Sequence, residues 1–307
     1  MFEEYPEVYR SICKMQYVLN RYRTVTMSIS GGSDSDIMIA LYNEIKNDIC
    51  TDIHFVYFDT GLEYQATKDH IKYLQDRYKI DIETIKAYQP IPTACKNYGR
   101  PFLNKRVSGY IARLQKHNFT WSTDDFETLY KQYPNCKAAL RWFTNSFGDD
   151  SRFNIQYTKG LREYLINNPP PFKISDMCCT CAKKKTSKIA YEKYDSELSV
   201  QGVRKYEGGA RNTLNNCWND KKGVYYPLLW FKESDKNIVE NKLNVKHSKC
   251  YTDYGLKRTG CAGCPFGQHY NDELQIIQQH EPKLYNACLG VFGQVYEYTN
   301  KFQSERW

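Results

Sequence analysis

The chain has 307 residues, 41% hydrophobic and 25% charged, with 43 Lys plus Arg against 35 Asp plus Glu for a formal net charge of +8. That length suits a sizeable core in one large or two modest domains. No apolar run approaches the ~20 residues of a membrane span and none resembles a signal peptide, so a cytoplasmic protein with no membrane partner is expected.

The mild positive excess suits an anionic ligand, nucleotide or nucleic acid. Twelve cysteines in such a chain point to reduced thiols and not to a disulfide framework. Residues 1–23 carry apolar and aromatic positions (Tyr9, Ile12, Met15, Val18, Leu19) that read as an amphipathic lead-in helix.

Thr24–Ala40, TVTMSISGGSDSDIMIA, is the organising stretch. Val25, Met27 and Ile29 alternate with polar residues as in a strand with one buried face. Gly31-Gly32 breaks the run, and Ser33, Asp34 and Ser35 start a helix continued by Ile37, Met38, Ala40, Leu41 and Ile45. Unpaired N–H groups at the positive end of a helix dipole form an anion pocket suited to phosphate.

Ile53–Phe58 is an apolar run fit for a buried parallel strand, ending in Asp59-Thr60-Gly61. A helix near Gln65–Tyr78 and a strand at Ile82–Ala87 follow. Strand and helix alternating with short links specify an α/β fold, a doubly wound parallel sheet whose ligands sit at the carboxyl ends of its strands.

Residues 90–172, opened by Pro90 and Pro92 and closed by Pro169-Pro170-Pro171, read as a helical insertion with helices near Val107–Gln115, Phe126–Tyr133, Ala138–Phe143 and Lys159–Ile166. The sheet resumes at Leu198–Val203, leading to Arg204, Glu207 and Arg211 on a glycine-bearing loop. Two guanidiniums there suit bidentate contacts to phosphate or sulfate, with surface salt bridges the alternative. Tyr225–Phe231 reads as a further strand, Ser234-Asp235 as a helix cap, and Asp272 to Phe302 as a helical tail. The domain reading is 1–89 for the first half of a nucleotide domain, 90–172 for the insertion, and 173–307 for the second half with the cysteines and tail.

Cysteines cluster at Cys178-Cys179-Thr180-Cys181 and at Cys261-Ala262-Gly263-Cys264, which points to metal. Four thiolates do not by themselves decide between a [4Fe-4S] cluster and a tetrahedral zinc.

Ser30-Gly31-Gly32-Ser33-Asp34-Ser35 resembles the SGGxDS pyrophosphate loop of the PP-loop ATP pyrophosphatases and the phosphoadenosine phosphosulfate reductases; the lysine of a GxxxxGK[ST] loop is absent. That resemblance implies an adenine nucleotide α-hydrolase-like fold with a cysteine-rich metal-binding C-terminal part. It implies nucleotide contacts from Ser30–Ser35, a nucleoside beside Asp59, Thr60 and Gly61, and a distal anion held by Arg204, Glu207 and Arg211.

Gly99-Arg100-Pro101-Phe102 with Lys105 resembles a phosphate- or ribose-side element of the same relatives. A cysteine pair, 82 positions from Cys179 to Cys261, then CxxC resembles the [4Fe-4S] arrangement of assimilatory adenylyl-sulfate reductases, implying Cys178, Cys179, Cys261 and Cys264 as ligands; Lys183 also fits that pattern.

The tail cysteine nucleophile of sulfonucleotide reductases is missing; the last cysteine, Cys288, lies in an apolar helical pattern where burial blunts a thiol. The Glu207-Gly208-Gly209 loop and the Gly255–Phe266 string are closest to the broader phosphoadenosine phosphosulfate reductase family, which includes relatives of the DNA phosphorothioation sulfurtransferase. The resemblance spans roughly residues 24–98 and 174–268.

It implies an enzyme acting on ATP or a sulfonucleotide in sulfur activation, transfer or reduction, with Asp34, Arg204 and Arg211 as catalytic groups. Asp34 would hold Mg²⁺ or a developing charge, or simply cap the helix. A nucleic acid or protein would be the sulfur acceptor. The alternative is a non-catalytic nucleotide sensor or scaffold with a structural metal.

Overall fold

The computed structural model describes residues 2–267 and 269–305. Met1–Tyr88 with Lys183–Gly260 form one compact unit, and Gln89–Ala182 with Cys261–Trp307 a second.

The first unit opens with α1 (Pro6–Leu19), whose Val8, Met15, Val18 and Leu19 are buried. Next come β1 (Thr24–Ser28), α2 (Ser33–Ile45), β2 (Asp52–Asp59), α3 (Gln65–Tyr78) and β3 (Ile82–Lys86). Val25 and Met27 of β1 and Ile37, Met38 and Leu41 of α2 are fully buried, so the alternating and helical patterns both end in one core. α3 stops where Lys79 turns left-handed at φ 53°, its N–H donating to the Gln75 carbonyl.

The second unit begins with α4 (Ile91–Tyr98), α5 (Lys105–Lys116), α6 (Phe126–Gln132), α7 (Lys137–Phe143) and α8 (Leu161–Asn167). Asn104 caps α5 by accepting from Val107 N–H at 3.0 Å, and Asp125 caps α6 by accepting from Thr128 N–H at 2.8 Å. A short α9 (Met177–Cys179) runs into a π turn, Thr180–Lys184.

The chain re-enters the first unit with α10 (Lys185–Lys193), β4 (Leu198–Gln201), β5 (Trp218–Asn219), β6 (Val224–Tyr225), α11 (Glu233–Leu243) and α12 (Lys249–Thr252). The six strands form one sheet in the order β3-β2-β1-β4-β6-β5, parallel except for the β5–β6 pair. At its centre Val25 stands between Ile53 of β2 and Leu198 of β4. This is the doubly wound α/β sheet expected from the strand–helix alternation.

The expected strand over Tyr225–Phe231 is corrected: only Val224–Tyr225 pairs, and the chain turns at Pro227. Proline has no N–H for the ladder, and the Pro227 carbonyl instead accepts from Ser11 Oγ at 2.8 Å. Leu228, Leu229 and Phe231 are fully buried all the same, so the apolar run reported core and not strand.

α13 (Tyr270–His280) and α14 (Pro282–Ser304) close the second unit. Tyr298 and Phe302 of α14 share a core with Phe102, Trp142, Phe143 and Leu165 of the insertion.

Candidate functional site

The site starts where β1 ends. Gly31 lies at φ 68°, and a Cβ there would come within 2.8 Å of the Thr67 methyl, so both backbone and space demand glycine. Gly32 is the N-cap of α2. Ser35 Oγ donates to the Gly32 carbonyl at 2.7 Å, and Ser30 Oγ accepts from Gly32 N–H at 3.3 Å, fixing the loop from both sides. The phenol oxygen of Tyr251 accepts from Ser33 N–H at 3.2 Å and from Thr259 N–H at 3.3 Å. Two amides converging on one oxygen mark a place where an anionic oxygen would be held.

Beside the loop lies a cavity of about 550 Å³ at the carboxyl ends of β1, β2 and β4. Ile29, Tyr57, Phe58 and Val203 supply its apolar wall, and Ser30, Ser35, Thr60, Ser187 and Thr259 its hydroxyls. Lys183, Lys184 and Arg211 give it three cations against a single carboxyl group, Glu63. Burial pushes the Glu63 carboxyl up, while hydrogen bonds from Thr60 and the charge of Lys183 pull it part of the way back. Thr60 Oγ1 donates to it in a short hydrogen bond.

Behind the loop is a network of buried charge. Asp34 pairs with Arg204 at 2.8 Å, and Arg204 pairs with Glu233 at 2.9 Å. Lys236, only 6% exposed, donates to Ser33 Oγ at 2.9 Å and lies 3.8 Å from Asp34. Asp36, fully buried one turn into α2, faces His70 at 3.0 Å and His247 at 2.7 Å. His247 also reaches Glu240 at 2.8 Å. Burial works against its charge, but the two carboxylates win and hold it at about 9.

A model of the phosphoadenosine phosphosulfate reductase domain matches residues 24–138, the segment that builds this loop and its flanking strands. Over that segment the chain is similar to the phosphoadenosine phosphosulfate reductase domain.

An uncharacterized protein of Methanocaldococcus jannaschii is 22% identical over 289 residues, covering 92% of this chain and 51% of that protein, so the chain spans about half of its relative's length. Among solved structures, phosphoadenylyl-sulfate reductase of Candida auris in its phosphate complex aligns with a TM-score of 0.43 at 11% identity, covering 82% of this chain and 87% of that one. The U34-tRNA thiolase NcsA of Methanococcus maripaludis with its [4Fe-4S] cluster gives 0.41 at 15% identity, covering 97% and 79%.

The expected site residues divide. Ser30, Ser35 and Thr60 line the cavity, as does Arg211, which is paired with Glu207 at 3.0 Å. Asp34 and Arg204 are not in its wall; they hold each other. Asp59 accepts from Gly61 N–H at 3.0 Å and lies 3.9 Å from Lys68, so its carboxylate closes the turn while Thr60 faces the cavity. Arg100 Nε donates to the Val291 carbonyl at 2.7 Å, within the second unit.

Glu63, Lys184, Lys236 and His247 were not singled out from sequence. Glu63 directly follows the Asp59-Thr60-Gly61-Leu62 string, which is the one local signal that pointed to it.

The cysteine clusters both fall in the second unit. A hydrogen bond with Cys179 lowers the Cys178 thiol, but the hydrogen bond with Cys95, burial and the nearby Cys264 raise it further, for a net upward shift. Cys178, Cys179 and Cys264 thus share one neighbourhood, and Cys261 sits on the same loop as Cys264. The donor set fits a thiolate-bound iron–sulfur or zinc centre in its chemistry. Among the described residues no three His, Cys, Asp or Glu side chains are gathered into a metal-holding group, so the thiols must turn to reach one ion or cluster. Cys288 is buried, and burial foremost pushes its thiol up to about 12. No helix among the described residues is long and apolar enough to cross a membrane.

Proposed function

We propose that the chain is a PP-loop enzyme that binds ATP or a sulfonucleotide in the 550 Å³ cavity and acts in sulfur activation or transfer. The observation that carries this reading is the convergence of the Ser30–Ser35 loop, three cations and an apolar wall on one strand edge. The amides of the loop and the hydroxyls of Ser30 and Ser35 would bind pyrophosphate. Lys183, Lys184 and Arg211 would neutralise the remaining phosphate or sulfate charge, and Tyr57 and Phe58 would take the base.

With ATP the reaction is adenylation: an acceptor oxygen forms a bond to the α-phosphorus, the bond to the β-phosphate oxygen breaks, and pyrophosphate leaves. The acceptor proton passes to Glu63, whose burial makes its carboxylate more basic than an exposed one. Cations fixed in advance around the developing charge lower the barrier. Asp34, held by Arg204 and Lys236, orients the helix start.

Cys178, Cys179, Cys261 and Cys264 would hold a [4Fe-4S] cluster, which supplies thiophilic iron for sulfur; zinc is the alternative and would be structural. The sulfur acceptor would be a nucleic acid or a protein. Reduction through a tail thiol is disfavoured because Cys288 is buried and held protonated. That same observation favours the second reading, a nucleotide sensor or scaffold.

Calorimetry with ATP and with a sulfonucleotide, together with pyrophosphate release by anaerobically purified protein, tests the proposal. Binding and turnover, both lost in Lys184→Ala and Arg211→Ala, are expected. Tight binding without turnover would select the sensor reading, and failure of every adenine nucleotide to bind would overturn both.

A further inference from the structure

The second unit holds a cavity of its own, about 450 Å³, formed by α5, the turn Pro134–Cys136 and the start of α7. Lys105, Arg106, Arg113 and Lys137 line it, and no acidic residue does. None of the four forms an ion pair with a carboxylate among the described residues. Four cations facing one hollow repel one another, an arrangement that an anion relieves.

The sequence around them sharpens the point. Residues 89–123 contain six Lys and Arg and no Asp or Glu. On α5, Lys105 and Arg113 are eight positions apart, two helical turns along one face, with Gly109 between them in the floor. Nothing lies within 4 Å of where a Gly109 Cβ would stand, and Ala138 and Ala139 keep the opposite wall low. Bulky groups can therefore approach the backbone.

Two of the groups are already set in place. Arg106 lies over the Phe153 ring at 5.2 Å, and its Nε is shielded from solvent with no hydrogen-bond partner among the described residues. Tyr110, also in the lining, stacks on Trp142 at 5.3 Å and 24°.

We propose that this cavity binds a segment of single-stranded nucleic acid, the phosphates on Lys105, Arg106, Arg113 and Lys137 and an unpaired base against Tyr110. An acidic peptide would satisfy the cations alone; the half-buried tyrosine ring and the Asn135 amide beside them favour a strand that stacks and hydrogen-bonds as well. The inference is independent of the nucleotide chemistry assigned to the other unit.

Fluorescence anisotropy with a labelled mixed-sequence single strand of about 20 nucleotides tests it, in RNA and DNA forms, with polyglutamate and inorganic phosphate as competitors. Four phosphate contacts on a single strand give a log–log salt slope of about −2.8, an affinity loss of about 50-fold between 50 and 200 mM salt. Arg113→Ala with Lys137→Ala should bring the slope to about −1.4 and weaken binding at low salt at least tenfold. Both positions are exposed, so an unchanged circular-dichroism melting curve is expected and certifies the fold. Tyr110→Leu should weaken the single strand more than a duplex of the same sequence. Absence of binding at low salt, binding indifferent to the double substitution, or equal competition by polyglutamate would each overturn the proposal.

Discussion

His247 shows how a single residue ties pH to the loop. Its ordinary pKa near 6.5 is raised to about 9 in the fold, because Asp36 and Glu240 outweigh burial. A raised pKa means stabilisation that is full below about 6.5 and lost as pH climbs through about 9. Asp36 on α2, His70 on α3, Glu240 and Lys236 on α11 and the Tyr251 ring are the groups around this network. Urea midpoints measured from pH 6 to 10 should fall by the equivalent of about 1–2 kcal/mol in the native chain, and stay flatter in His247→Gln.

Lys236 is the other buried charge on which the loop depends. Lys236→Met leaves Ser33 without its donor and Asp34 with Arg204 alone. A stability loss of about 3 kcal/mol is expected from breaking a buried pair, read in the same urea titration. Neither Lys236 nor His247 was legible in the sequence: a lysine inside Glu233–Leu243 and a histidine far along the chain look like solvated surface until the fold brings them against α2. Ser30 and Ser35 were legible because a phosphate loop is local, written in consecutive residues.

At the scale of elements, the approach of β4 to α2 sets the loop. The residue that follows β4, Gly202, leaves only a tight fit for a side chain: a Cβ would come within 3.0 Å of the Asp34 carbonyl oxygen and 3.3 Å of the Ser35 nitrogen. Those neighbours are backbone atoms of the helix start and cannot rotate away. Gly202→Ala should weaken nucleotide binding about tenfold, the ~1.4 kcal/mol equivalent of mild overpacking, in calorimetry. The sheet itself was readable wherever an apolar run matched a strand's length. It failed at Tyr225–Phe231, where apolar residues are buried through a turn and Pro227 denies the ladder its donor. Periodicity reports which residues are buried; whether they are extended depends on a partner strand that the sequence does not name.

For the whole molecule, each unit is assembled from two separated stretches of chain. The insertion's core is completed by α14, with Tyr298 against Phe102 at 5.3 Å and Phe302 against Tyr164 at 5.1 Å. A chain cut after Gly260 should therefore lose the insertion's protection, with protease cleavage spreading through residues 89–182 while the sheet unit survives. Limited proteolysis followed by mass spectrometry reads this directly. The metal question also belongs to this scale, since both cysteine loops lie in that second unit. Anaerobic protein should carry about four irons and absorb near 400 nm, and Cys261→Ser should lose them; one zinc and no colour would make the centre structural.

The pairing of β1 with β4 also has a consequence for synthesis. Val25 and its partner Leu198 are separated by 173 positions. At ~5–20 residues per second, a ribosome needs roughly 10–35 s to deliver the second strand after the first. Through that interval the strand that ends as the middle of the sheet has an open edge bearing Val25 and Met27, a template for any other chain in the same state. Nascent chains of this protein would consequently be clients of a holding chaperone for most of their translation, and the protein's yield would follow chaperone supply more closely than the stability of the finished fold.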